Sequence, residues 1–253
     1  MTDQPLISVI LSIQNAADYL PECLDNLLQQ TYKNIEIIAI DDFSSDDSFR
    51  ILQNYAKKDT RLIISRNVKR YGTAMTLNRC MKRAQGQYIA FMNAKDISHT
   101  HRLQQQYIYL KENKHVVAIG VQCNLLTKEN AKISISEFPT ESLKIHQRPI
   151  DGISMLFDNL MVHRHRIPKD VLHFKTNTYP FIYTDIVMKL LKYGEVLNLP
   201  QVLYTKRIIS PQQQKTRAHF PSLAKTWLRA ITLYDHKLPL RSLFLNPLLA
   251  SLK

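Results

Sequence analysis

Cysteine is scarce in this chain. Cys23, Cys80 and Cys123 are odd in number and far apart, with no CxxC pair and no histidine at ligand spacing. That pattern argues against a disulfide scaffold and against structural zinc. It fits three small core residues of a reducing compartment. Long apolar runs are missing too: no stretch reaches the roughly 18 residues a membrane span needs. The opening MTDQPLISVILSIQN carries an acid where a signal peptide wants a cation, and its apolar run breaks early. The expectation is a cytoplasmic protein. Glycine is also rare, with five in 253 residues, so each marks a place where the backbone has a special requirement.

What is present is ordinary in amount and uneven in distribution. Hydrophobic residues make up 45% and charged residues 22%, which excludes global disorder and allows a substantial core. The formal charge is +13, and from Gln201 to Lys253 nine Lys or Arg face a single acid, Asp235, so that tail supplies +8 of it. Such a field suits anionic lipid, a phosphorylated acceptor or nucleic acid, and a merely solvated basic face has the same composition. No RNP, KH or helix-turn-helix signature accompanies the charge, which argues against nucleic acid as the partner.

The first half alternates two periodicities. LISVILSI (6–13) is a continuous β-branched run of the kind a buried parallel strand shows, and YLPECLDNLLQQ puts Leu20, Cys23, Leu24, Leu27 and Leu28 on one helical face. NIEIIAI (34–40), RLIIS (61–65), YIAFM (88–92) and VVAIGVQ (116–122) read as further strands. SFRILQNYAKK, GTAMTLNRCMKRA (72–84) and HRLQQQYIYLKEN read as the helices between them. Strand, helix, strand with short connections requires parallel pairing through right-handed crossovers. The fold class is therefore α/β, a mostly parallel, doubly wound, Rossmann-like sheet. The rhythm weakens after Gln122. Residues 1–122 form a nucleotide-binding half, 123–210 an acceptor half, and 211–253 a basic helical extension in which SLAKTWLRAITLY carries an apolar stripe.

Strand ends of such a sheet carry chemistry. IDDFSSDD (40–47) brings Asp41 and Asp42 to one of them, where adjacent acids need partners. YIAFMNAKDISH (88–99) ends an apolar run in Asn93, Ala94, Lys95 and Asp96, with a lysine between an amide and a carboxylate.

Taken in order, SVILSIQN, LLQQTYKNIEIIAIDDFSSDDS and RYGTAMTLNRCMKRAQGQYIAFMNAKD resemble the N-terminal half of the family 2 glycosyltransferases, inverting enzymes of GT-A fold. The resemblance runs from about Leu6 to Leu126 and more weakly to about Ser210. It implies a nucleotide sugar, a UDP-sugar by preference, as donor and a saccharide or lipid-linked acceptor in surface polysaccharide or glycolipid synthesis. By the same resemblance Asp42 matches the acid that contacts the nucleotide base, and Ser12 and Gln14 flank that base, although relatives often have an aromatic at Gln14. Gly72 and Asn78 match the Gly and Asn beside the nucleotide, and Lys69 and Arg70 come within reach of phosphate.

NAKD falls where the family has its Asp-x-Asp loop. Asn93 replaces the first carboxylate and Lys95 replaces the metal ligand, so Asp96 is at most the remaining one. A protonated lysine cannot ligate a hard cation. In LPQVLYTKRIIS (199–210), Arg207 takes the position of a histidine that in relatives helps hold the metal. Lys95 and Arg207 together suit a departing diphosphate without a cation. No cofactor is expected on this reading, with manganese or magnesium the alternative. Asp185, in YTDIVMKLLKYG, matches the family's acceptor-deprotonating base, and a helix dipole alone would also favour an acid there. His163, in HRHR (163–166), falls in the acceptor pocket by resemblance. The competing reading is an inactive GT-A scaffold that binds a nucleotide or a partner, with NAKD a decayed site. The basic tail suggests peripheral contact with an anionic membrane at its inner face.

Overall fold

The computed structural model describes residues 4–147, 154–176 and 181–208, together with Leu228, Arg229 and Thr232. The rest of the expected 211–253 extension, its apolar stripe included, lies outside the described residues.

Four strands form the part of the sheet nearest the chain's start. β1 (Ile7–Ile13) lies between β2 (Ile35–Asp41) and β4 (Tyr88–Asn93), parallel to both, and β3 (Leu62–Arg66) extends the sheet parallel to β2. Every residue of β2 is buried, and so is all of β1 except Ser12. This explains the Ile/Val/Leu-rich runs: with both faces of the sheet covered, apolar residues predominate, and polar side chains such as Ser8 and Glu36 are paired with each other inside. Each fully buried Ile or Leu contributes about 1.5–3 kcal/mol. The crossovers are α1 (Leu20–Leu28), α2 (Ser48–Ala56) and α3 (Thr73–Arg83). α1 begins with Pro21 in its first turn and buries Leu20, Cys23, Leu24 and Leu27, the stripe its spacing predicts.

Two glycines have local reasons. Gly72 precedes α3 at φ 86°, a backbone region that side chains avoid. A Cβ on Gly86 would lie 2.6 Å from both the backbone nitrogen and Oγ of Ser8. That close approach lets Gly86 N donate to Ser8 Oγ, while Glu36 accepts from Ser8 Oγ and from the Gln85 backbone.

Beyond β4 come β5 (Ile97–Ser98), α4 (Arg102–Glu112), β6 (Val116–Thr127), β7 (Lys132–Ile135), α5 (Ser142–Gln147), β8 (Met161–His163), α6 (Ile182–Leu191) and β9 (Glu195–Ile208). The strand order is β3-β2-β1-β4-β8-β6-β9-β5, with β7 paired to β6 outside that path. The mostly parallel sheet is the one expected, and the fifth strand runs on to Thr127 instead of stopping at Gln122. The departure from the expected rhythm is β8. It enters antiparallel between β4 and β6, with Tyr88 opposite His163 and Ala90 opposite Met161. An antiparallel strand begins where its parallel neighbour ends. Residues just before β8 are therefore delivered to the carboxyl end of β4.

The three cysteines are free and buried. Among the described residues no helix is long and apolar enough to cross a membrane.

Candidate functional site

A cavity of about 240 Å³ opens along the carboxyl ends of β2, β1 and β4 and the start of β8. Its wall includes Asp42, Ser12, Gln14 and Arg70, then Asn93, Ala94 and Lys95, then Phe157, Asp158 and Tyr183. Strand order ranks these groups across the sheet. Three strand intervals of about 4.8 Å separate β2 from β8, about 14 Å in all, which suits an elongated ligand.

At the β2 end, Asp42 is 2% exposed and densely hydrogen-bonded. Its Oδ1 accepts from Asn67 Nδ2 at 2.7 Å and Tyr71 N at 2.8 Å, and its Oδ2 accepts from Gly72 N at 2.7 Å. Burial alone would raise its pKa. The donors from Tyr71, Asn67, Gly72 and Thr76 outweigh burial and hold the carboxyl below its ordinary range. Asp42 thus ties the loop before α3 to the sheet at the cavity wall. Its neighbour Asp41 faces inward, with Oδ2 3.1 Å from Arg66 Nε. Arg70 reaches across to Gln14, its NH2 3.3 Å from Oε1.

At the β4 end the loop forms a tight turn. Asn93 Oδ1 accepts from Lys95 N at 3.0 Å, and Asn93 O accepts from Asp96 N at 3.1 Å. Lys95 is half-buried on the cavity wall. Asp96 turns away into the protein, where Oδ2 accepts from the Tyr204 hydroxyl at 2.9 Å and Oδ1 from Arg207 N at 2.9 Å. Burial first, and the nearby Asp158 carboxylate second, push Asp96 up to about 7, opposed by Lys206.

Several expected site residues are elsewhere. Arg207 is not on the cavity wall: its guanidinium donates to Lys95 O at 2.8 Å, to Asn130 Oδ1 at 2.9 Å and to Glu22 Oε2. These donors are spent behind the loop, so Arg207 acts on Lys95's backbone and does not face a diphosphate. Asn78 exchanges two hydrogen bonds with the Phe174 backbone, at 2.7 and 2.8 Å, which fastens α3 to residue 174. His163 packs edge-on against Tyr88 at 4.7 Å, and burial with Arg166 nearby lowers its pKa to about 4. It is a buried ring at the end of β8, opposite the start of β4 and off the cavity wall. Lys69 lies 5.4 Å from the Tyr71 ring centroid, off the wall. Asp185 is 1% exposed, its Oδ2 2.9 Å from Lys189 Nζ and its Oδ1 2.7 Å from Arg229 NH2.

The residues at the loop do not fit a divalent cation. Asn93 Oδ1 is engaged by Lys95 N, a lysine takes the ligand's position, and both Asp96 oxygens accept from protein donors. Among the described residues no group of three or more His, Cys, Asp or Glu side chains is disposed to hold a metal.

Sequence reasoning missed Asp158. The acid stands alone in the apolar stretch SMLFDNLM, and that isolation was the available signal. The Phe157 and Tyr183 rings beside it stack at 4.5 Å with 10° between their planes. Its carboxylate accepts from the Asn93 side chain and sits in the field of Lys206. Burial nonetheless raises its pKa.

A mostly parallel α/β sheet with an elongated cavity along its strand ends, and a polar loop at mid-cavity, places the chain among the doubly wound α/β proteins, whose ligand sites lie at those strand ends. Residues 8–166 match the family model described as glycosyl transferase family 2, and the chain belongs to that family. It is 27% identical over 227 residues to an uncharacterized glycosyltransferase of Haemophilus influenzae, covering 87% of this chain and 70% of that protein. It is 37% identical over 109 residues to the UDP-Glc:alpha-D-GlcNAc-diphosphoundecaprenol beta-1,3-glucosyltransferase WfaP of Escherichia coli, covering 43% of each. The fold is similar to that of S. aureus TarS 1-349 in its complex with UDP-GlcNAc, with a TM-score of 0.73 at 17% identity. That likeness covers 91% of this chain and 68% of the other. The architecture is thus GT-A-like, and the chain spans less than half the length of WfaP.

Proposed function

We propose that this chain transfers a sugar from a UDP-sugar, with inversion, to a saccharide or lipid-linked acceptor during synthesis of a surface polysaccharide or glycolipid. The work would be done on the cytoplasmic side of the membrane, with the basic tail as a peripheral contact. WfaP, named for a UDP-Glc donor and a diphosphoundecaprenol-linked acceptor, supports the donor and acceptor classes, and the UDP-GlcNAc bound to TarS supports the donor class.

One observation carries the reading: Lys95 is on the cavity wall, and its backbone carbonyl is gripped by Arg207. As the bond to the anomeric carbon breaks, negative charge gathers on the departing diphosphate. A lysine whose backbone is fixed on the cavity wall would bring a positive charge to that point with little reorganisation. Lys95 would thereby do the work of a divalent cation.

The test is UDP release from UDP-glucose and UDP-GlcNAc in excess EDTA. Turnover should persist, and Lys95→Ala should lower it about 100- to 1,000-fold. Loss of all turnover in EDTA, restored by manganese, would overturn the metal-free mechanism. Nucleotide binding with no UDP release under any condition would favour the inactive scaffold.

A further inference from the structure

Glycosyl transfer to a hydroxyl needs a group to take the acceptor's proton. The family resemblance assigns that step to Asp185, but both its oxygens are committed to Lys189 and Arg229, and it is not on the cavity wall. Asp158 is on that wall, at the end opposite Asp42. It reaches this position because β8 is antiparallel to β4. Leu160 O, at the entry to β8, accepts from Phe91 N, and the single 3-10 turn Phe157–Asn159 before it carries Asp158 to the carboxyl end of β4, on the same cavity wall as Asn93.

The surroundings of Asp158 agree. Asn93 spends its Oδ1 on Lys95 N, which leaves its amide nitrogen to donate to Asp158. An aspartate at 93 would set two carboxylates against each other there, so the asparagine of NAKD and the acid at 158 are complementary. Lys206 from β9 and Asn93 from β4 favour the charged form. Asp96 is the neighbouring acid, Tyr183 from α6 and Tyr204 from β9 are the phenols in its field, and Lys95 shares the cavity. The stacked Phe157 and Tyr183 rings give the wall beside it a flat apolar face against which a sugar ring can lie.

We infer that Asp158 is the carboxylate that receives the acceptor hydroxyl's proton, an inference that rests on the glycosyl-transfer reading. In a single displacement, the acceptor oxygen bonds to the anomeric carbon as the bond from that carbon to the diphosphate oxygen breaks. The electron pair leaves with the diphosphate beside Lys95, and the hydroxyl proton passes to Asp158. Asn93 and Lys206 are positioning residues that hold the carboxylate in place. Burial keeps Asp158 a stronger base than a solvated aspartate, which suits proton abstraction near neutral pH.

Azide separates this role from a structural one, because azide attacks the anomeric carbon without losing a proton. The full chain is assayed for UDP release from UDP-glucose and UDP-GlcNAc, with water as acceptor, alongside UDP calorimetry and melting temperature. Asp158→Asn should keep UDP binding and a melting temperature within about 2–4 °C of the parent, the shift expected from ~1 kcal/mol in a domain of this size. It should lose UDP release about 100- to 10,000-fold. Azide should restore that release and yield a glycosyl azide of inverted configuration. Asp158→Ser carries the same test should the asparagine variant not fold.

Undiminished turnover in a folded Asp158 variant would overturn the inference, as would azide rescue of Asp185→Asn in place of Asp158→Asn. Absence of UDP release from the parent chain, with UDP bound, would instead overturn the glycosyl-transfer reading beneath it.

Discussion

Lys95 and Asp42 show how differently two residues of one cavity can be held. Asp42 is a carboxylate kept ionised by protein donors, so its effect on stability has a definite sign. Its folded pKa lies below the ordinary carboxylate value, so the stability it contributes is present above the unfolded pKa of about 3.9 and is lost as pH falls through the folded value. Melting temperature measured from about pH 5 downward should fall more steeply for the parent chain than for Asp42→Asn, which lacks that ionisation. Lys95 was legible in the sequence because a cation in an Asp-x-Asp position contradicts the local chemistry. Arg207 was legible only as a cation. Successive side chains of a strand point to opposite faces, and nothing in TKRI says whether 206 or 207 faces the site. Lys206 exerts its charge on Asp158 and Asp96, while Arg207 reaches Glu22, Asn130 and the Lys95 carbonyl. Arg207→Ala should therefore cost about 1–3 kcal/mol in urea unfolding, since Asn130 and the Lys95 carbonyl lose their donor while the half-exposed Glu22 is resolvated. Arg207→Lys should recover little of it, because one ammonium cannot reproduce the three-way fork.

At the scale of elements, β1, β2 and β4 could be read because burial leaves their runs predominantly apolar. β8 could not. Its three residues MVH carry no periodicity, and its antiparallel entry depends on pairing with strands about 40 and 70 positions earlier in the chain. Asp158 was missed for the same reason: its place on the wall follows from that pairing and from nothing local. Gly86 shows the converse, a residue whose necessity is tertiary but whose rarity drew notice. Gly86→Ala would drive a Cβ into the backbone of β1, and the close contact should cost about 1–3 kcal/mol by urea denaturation.

For the whole molecule, charge is the dominant property. The segment from Gln201 onward holds nine cations against one acid. Binding to phosphatidylglycerol vesicles should be measurable by co-sedimentation at low salt and should fall steeply as ionic strength rises toward about 1 M, where the Debye length is only about 3 Å. Binding that ignores salt would point to apolar insertion instead.

The short β8 also bears on the order in which the molecule assembles. It can be seated only after β4 and β6 are both present to receive it, and β6 itself pairs with β9, some 80 residues further along. Pairings of such sequence separation carry a loop-closure cost that must be met before they stabilise the chain. The end of the cavity holding Asp158, which needs β4, β6 and β9 in place before the three-residue β8 can pair, is therefore expected to complete after the β1–β4 sheet. Trimming Val162 to Ala should accelerate unfolding while leaving the refolding rate nearly unchanged, a pattern that stopped-flow measurement in denaturant would reveal.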